Sequence, residues 1–104
     1  MSEFTEINDI SFQETLTATE AGIILFYKNL CPHCKNMEKV LAKFSIKSRD
    51  TAIMTIDSEA CPLAMTITKV ERVPTLVIVK AGKIVANKVG LMNPKELLAL
   101  YASV

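Results

Sequence analysis

The chain has no tryptophan, three glycines, four prolines and three cysteines, and only 6% of its 104 residues are aromatic. So little glycine and proline excludes a collagen-like or low-complexity chain, and no Gly/Ser/Pro-rich stretch marks a linker. Three cysteines, an odd number, are too few for a secreted scaffold stapled by disulfides. Charge of one sign is also lacking: twelve Lys+Arg face eleven Asp+Glu, for a net charge of +1. That balance removes the electrostatic case for nucleic acid or an anionic membrane surface as a partner. No apolar run approaches the roughly 18 residues of a membrane span. The start, Met1-Ser2-Glu3-Phe4-Thr5-Glu6, has neither the basic nor the apolar segment of an export signal, so a cytoplasmic location is expected. What is present, 50% apolar and 22% charged residues without an internal repeat, is ordinary globular composition. Residues 1–104 are read as one domain.

Two apolar runs, Ile23-Ile24-Leu25-Phe26-Tyr27 and Leu76-Val77-Ile78-Val79, have strand length and no polar alternation, the pattern of strands covered on both faces. Phe4–Ile7 and Ala52–Ile56 add two strands, and Ala81-Gly82 turns the chain into a last one over Lys83–Val89. Three helices separate the first four strands, and a fourth follows the last. Ser11-x-x-Glu14 has capping-box spacing ahead of Phe12 and Leu16. Met37, Val40, Leu41 and Phe44 form an apolar stripe opposite Lys35, Glu38, Lys39 and Lys43. Pro62 opens a short helix with Leu63, Ile67 and Val70 on one face, and Asn93-Pro94 opens the last, with Leu97, Leu98 and Tyr101 inward. The order βαβαβαββα predicts an α/β fold, a mixed central sheet with helices on both faces.

The chemistry centres on Cys31-Pro32-His33-Cys34, which follows a buried strand and begins an amphipathic helix. A helix N-terminus offers unpaired N–H groups and partial positive charge, and both favour a thiolate over a thiol. Cys31 stands at that end as the more exposed thiol and the nucleophile. Cys34, more covered, lies close enough to close a ring. Pro32 suits the first turn because its missing N–H has no helical partner there. His33, when protonated, adds a positive charge that stabilises the Cys31 thiolate. Attack by Cys31 on a substrate disulfide gives a mixed disulfide that Cys34 resolves. A thiol with a pKa of about 8.5 is a few per cent ionised at neutral pH, and lowering it to about 7 gives roughly half thiolate. No resident cofactor or metal is expected.

The chain resembles a thioredoxin along nearly all its length. The resemblance rests on the apolar strand before Cys31–Cys34, Val73-Pro74-Thr75, the Ala81-Gly82-Lys83 turn and Lys88-Val89-Gly90, in the family's order and approximate spacing. It implies a thioredoxin fold with a cis Pro74 against the sulfurs. It also implies that the Val73 backbone pairs with a substrate strand and that Gly90 leaves room for it. Implied partners are protein disulfides and a flavin-containing thioredoxin reductase supplied by NADPH, with the chain acting as a monomer. Leu30, Val89, Leu91 and Met92 form either an apolar docking rim around the disulfide or ordinary packing.

Four departures from the family stand out. Pro32-His33 replaces Gly-Pro and is similar to the dipeptide of bacterial periplasmic disulfide oxidants, whose helical insertion does not fit in 104 residues. Leu30 stands where an aromatic normally precedes the first cysteine. The family's buried acid falls at Leu25 and its lysine partner at Ile53. Their joint loss leaves no buried charge unpaired but removes the usual proton acceptor, so water or His33 serves or resolution is slower. The mid-helix proline falls at Lys39, which predicts a straighter helix. A glutaredoxin-like enzyme dependent on glutathione is the nearest rival, without the Gly-Gly that would follow the Pro74 strand. A metal-binding or scaffold module is the rival from another class, with only His33 and Cys61 to complete a tetrahedral set. Cys61 before Pro62 is either a second activated thiol or a small apolar core residue.

Overall fold

The apolar runs become the centre of a five-stranded sheet. The structure, a computed structural model, describes residues 4–104. Its elements are β1 (Thr5–Ile7), α1 (Phe12–Ala18), β2 (Ala21–Tyr27), α2 (Pro32–Lys47), β3 (Ala52–Asp57), α3 (Pro62–Thr68), β4 (Thr75–Lys80), β5 (Lys83–Val89) and α4 (Pro94–Ser103). The strands lie in the order β1-β3-β2-β4-β5. β1, β3 and β2 run parallel, whereas β4 is antiparallel to both β2 and β5. The two unbroken apolar strands, β2 and β4, are neighbours at the middle. Phe4 stands outside β1 and packs against the core beneath α2.

Because side chains alternate along a strand, the sheet builds two cores. Ile24 and Phe26 join Phe12, Leu16, Met54, Ile56, Ala64, Val77 and Val79 on the α1–α3 face. Ile23, Leu25, Ile53, Leu76 and Ile78 join Met37, Leu41, Phe44 and Leu97 on the α2–α4 face. Burying each of the larger side chains contributes about 2 kcal/mol before the entropy of ordering it is counted. Ala81 and Gly82 both take positive φ, 54° and 74°, as a tight turn between twisted strands requires. A Cβ at Gly82 would lie 2.8 Å from the Thr17 carbonyl oxygen, so this turn accepts little else.

Two expectations about helices are corrected. Ser11 makes no side-chain cap to α1; its hydroxyl and N–H bond instead with Asn8, in the turn that leads in from β1. The capping box forms at α4, where Asn93 accepts from the Glu96 N–H and Glu96 accepts from the Asn93 N–H. In α3, Leu63 and Ile67 are 55% and 43% exposed, and Ala64 and Thr68 face inward. The Asp9 carboxylate, reaching across from the β1–α1 turn, accepts from the Leu63 and Ala64 N–H groups at 3.1 and 2.8 Å. That contact seats the helix on its small residues. Val70 is buried, but it lies beyond the helix, past Lys69 in a left-handed conformation.

Candidate active site

Strand polarity gathers the motifs at one edge of the sheet. Phe26 near the end of β2 pairs with Thr75 at the start of β4, and Thr75 pairs with Val89 at the end of β5. The loop to Cys31, the Val73–Pro74 step and Val89–Gly90 therefore leave the sheet at the same edge. Val73–Pro74 is cis, and the Pro74 carbonyl accepts the Gly90 N–H at 2.9 Å. Gly90 has φ 95°, and a Cβ there would meet nothing within 4 Å, so the space beside it is open. Val73 is half-buried and Pro74 buried. Among the sequence-derived rim residues, Leu30, Val89 and Leu91 are 98%, 54% and 52% exposed. Met92 is different: it packs against the α2–α4 core.

Leu30 takes a positive φ of 58°, an uncommon conformation for a bulky residue, and turns the chain into the N-terminus of α2. Cys31 is the N-cap with an extended backbone, and Pro32 fills the first helical turn. Cys31 and Cys34 are joined by a disulfide, with Cα atoms 5.2 Å apart. Cys31 Sγ accepts the Cys34 backbone N–H at 3.2 Å, so the sulfur occupies the capping position of a 16-residue helix. A helix N–H held against a sulfur in this way is the kind of contact that favours a thiolate over a thiol. Cys31 is 9% exposed and Cys34 1%, which preserves their expected order while leaving little of either sulfur in water. Pro32 and His33 are both exposed on the first turn.

Beneath the site, Leu25 and Ile53 are buried in the same apolar core, and no charged side chain among the described residues is buried with them. A polar set that the sequence reading missed lies beside them. Glu6 accepts from the Thr55 hydroxyl at 2.6 Å and from the Tyr27 hydroxyl at 2.9 Å. Desolvation first, then the Glu6 hydrogen bond and the charges of Glu6, Asp57 and Glu38, push the Tyr27 phenol from 10.0 up to about 12. Thr55, a hydroxyl inside Ile53-Met54-Thr55-Ile56, was the available signal.

Cys61 is free, buried and at the N-cap position of α3, but its side chain makes no cap. Burial raises its thiol above the ordinary 9.0. A backbone hydrogen bond from Asp9 lowers it in part, and the nearby charges of Asp9, Asp57 and Glu6 raise it further. Among the described residues, no three or more His, Cys, Asp or Glu side chains come together as a metal set.

Comparison with known proteins follows the same lines. The thioredoxin family profile matches residues 3–103. The chain is 33% identical to a thioredoxin of Haemophilus influenzae over 106 residues, covering 97% of this chain and 95% of that one. It is 27% identical to a thioredoxin of Chlamydia trachomatis over 95 residues, covering 89% and 93%. Among solved structures, the reduced form of desulfothioredoxin from Desulfovibrio vulgaris Hildenborough superposes with a TM-score of 0.89 at 47% identity over the whole of both chains. A mutant thioredoxin from Halobacterium salinarum gives 0.86 at 24% identity, covering 97% and 89%, and attests to the fold alone. The fold and the Cys31–Cys34 pair support a thiol-disulfide oxidoreductase, and the chain belongs to the thioredoxin family.

Proposed function

We propose that the chain exchanges its Cys31–Cys34 pair with protein disulfides through a mixed disulfide. The observation that carries this is Cys31 Sγ in the N-cap position of α2, accepting the Cys34 N–H. In the reduced protein the Cys31 thiolate attacks one sulfur of a substrate disulfide. The Cys31–substrate bond forms, the substrate S–S bond breaks, and the departing thiolate takes a proton from water. Cys34 then loses its proton and attacks Cys31 Sγ, which forms the internal disulfide and releases the second substrate thiolate. Two electrons pass from protein to substrate.

The shared sheet edge offers the docking elements. A substrate strand pairs with the Val73 backbone beside Pro74, the open space at Gly90 admits it, and Leu30 and Val89 supply apolar contact. The thioredoxin relatives support protein disulfides as substrates. In this reading a flavin-containing, NADPH-dependent thioredoxin reductase regenerates the protein, which works as a monomer in the cytoplasm. Insulin reduction, followed with either that reductase and NADPH or glutathione as electron source, tests the reading. Turnover with the reductase, lost in Cys31→Ser, is the expected result. Turnover with glutathione alone would favour the glutaredoxin-like rival, and none with either would overturn exchange with protein disulfides.

A further inference from the structure

The resolving step requires somewhere for the Cys34 proton to go, and position 25 holds a leucine. The sheet offers a different acid in the same row. Glu6 on β1 pairs in register with Thr55 on β3, and Thr55 with Leu25 on β2. Residues in register on parallel neighbours share a face. Leu25 lies in the α2–α4 core, so Thr55 and Glu6 belong to the face beneath α2, the helix that carries Cys34. Tyr27, two residues beyond Leu25 toward the cysteines, packs on that face as well. Both hydroxyls donate to one carboxylate, Thr55 to Glu6 Oε1 and Tyr27 to Glu6 Oε2. Thr55 is buried, Tyr27 half-buried and Glu6 exposed, so the set joins the interior to bulk water.

We propose that Glu6, acting through the Tyr27 hydroxyl, accepts the proton that Cys34 releases during resolution, in place of the acid absent at position 25. The inference rests on Cys34 being the resolving thiol. Cys34 gives its proton to a water molecule, the one co-reactant. That water protonates the Tyr27 oxygen as the phenol passes its own proton to Glu6 Oε2. The Cys34 electron pair forms the bond to Cys31 Sγ, the Cys31–substrate bond breaks, and the substrate sulfur leaves with its electron pair. Glu6 then loses the proton to solvent. The phenol holds its proton firmly, so it relays without becoming an anion. A structural strap between β1 and β2 would require none of this chemistry.

The other charges facing Tyr27 are Asp57 on β3 and Glu38 on α2. Lys35 and Lys39 border a shallow groove with Glu38 and Phe4 on the same side of α2. Asp57 Oδ1 already accepts from the Glu59 and Ala60 N–H groups at 2.9 and 3.4 Å. Glu6 is the carboxylate to which the phenol donates.

The test is stopped-flow reaction of the reduced protein with a small aromatic disulfide that releases a coloured thiolate. The first release reports attack by Cys31 and the second reports resolution by Cys34. Glu6→Gln should slow the second release about tenfold near neutral pH and leave the first unchanged. Its second-phase rate should also rise more steeply with pH, because hydroxide then replaces a carboxylate as base. Tyr27→Phe should slow the second phase alike, and Glu6→Asp should restore part of the loss. An identical second phase in wild type and Glu6→Gln across the pH range would overturn the inference, as would equal slowing of both phases. If Glu6→Gln does not fold, Tyr27→Phe decides by the same criteria. Absence of a second release in wild type would overturn the assignment of Cys34 itself, a result distinct from one indifferent to Glu6.

Discussion

Two helices in this molecule begin with the same dipeptide. Cys31-Pro32 opens α2 and Cys61-Pro62 opens α3, each with the cysteine at the N-cap and the proline in the first turn. Local sequence makes them equivalent, yet their sulfurs are in opposite situations. At α2 the sulfur itself accepts a helix N–H. At α3 the Asp9 carboxylate from a distant turn takes the N–H groups of Leu63 and Ala64. The α3 N-terminus therefore already has its anion, and a second negative charge on Cys61 would face the first. Burial is the larger part of the penalty, and the Asp9 charge adds to it. A helix N-terminus is available to a sulfur only where that sulfur is the group filling it.

The largest expected difference between the two is in exchange itself. Cys31→Ser should abolish insulin reduction, while Cys61→Ser should leave its rate within about twofold, because the nucleophile is the thiolate alone. Equal losses in the two variants would break the comparison. Next in size is the effect of vacating the α3 N-terminus. Asp9→Ala removes a cap from outside the helix and should cost about 1 kcal/mol in denaturant unfolding. It should also speed alkylation of Cys61 several-fold while Cys31 reacts as before. A faster Cys61 without loss of stability would point to simple exposure rather than to the helix end.

The pH dependence sharpens the contrast further. With its pKa raised, Cys61 should alkylate along a profile whose midpoint lies above 9.0, and a profile at or below that value would contradict the burial argument. Tyr27 titrates at about 12 in the folded protein against 10.0 unfolded, so above 10.0 the unfolded chain holds fewer protons. Its contribution to stability is thus complete below pH 10.0 and is lost as pH rises toward 12. Tyr27→Phe should flatten that alkaline decline in denaturant unfolding. The smallest effect is expected at His33, exposed on the first turn of α2. Its replacement by a neutral residue should move the disulfide's equilibrium with glutathione toward a more reducing protein by about 30 mV or less. Superposable thiolate titrations of the two forms would discard any tuning by this side chain.

The fold was legible because its signals are local and strong. Apolar runs of strand length, a stripe at helical spacing over Met37–Phe44 and prolines at helix starts each point to one kind of element. The cysteine pair was legible for the same reason, since three residues of spacing and a helix start are matters of local geometry. What misled was orientation. Ser11-x-x-Glu14 has the spacing of a cap, but Asn8 competes for the serine. Leu63 and Ile67 have the spacing of a buried face, but Asp9 seats α3 on Ala64 and Thr68 instead.

By itself, the sequence determined the βαβαβαββα order, the two apolar strands at the centre and a cysteine pair at the start of the longest helix. Each follows from interactions between residues a few positions apart, which periodicity and turn chemistry encode directly. Tertiary structure alone decided which helix start keeps its N–H groups for a sulfur, and which hydroxyls meet Glu6. Asp9 is 54 positions from Leu63, and Glu6 is 49 from Thr55. Contacts of that span exist only once strand order and register bring the partners together, and no local pattern records them.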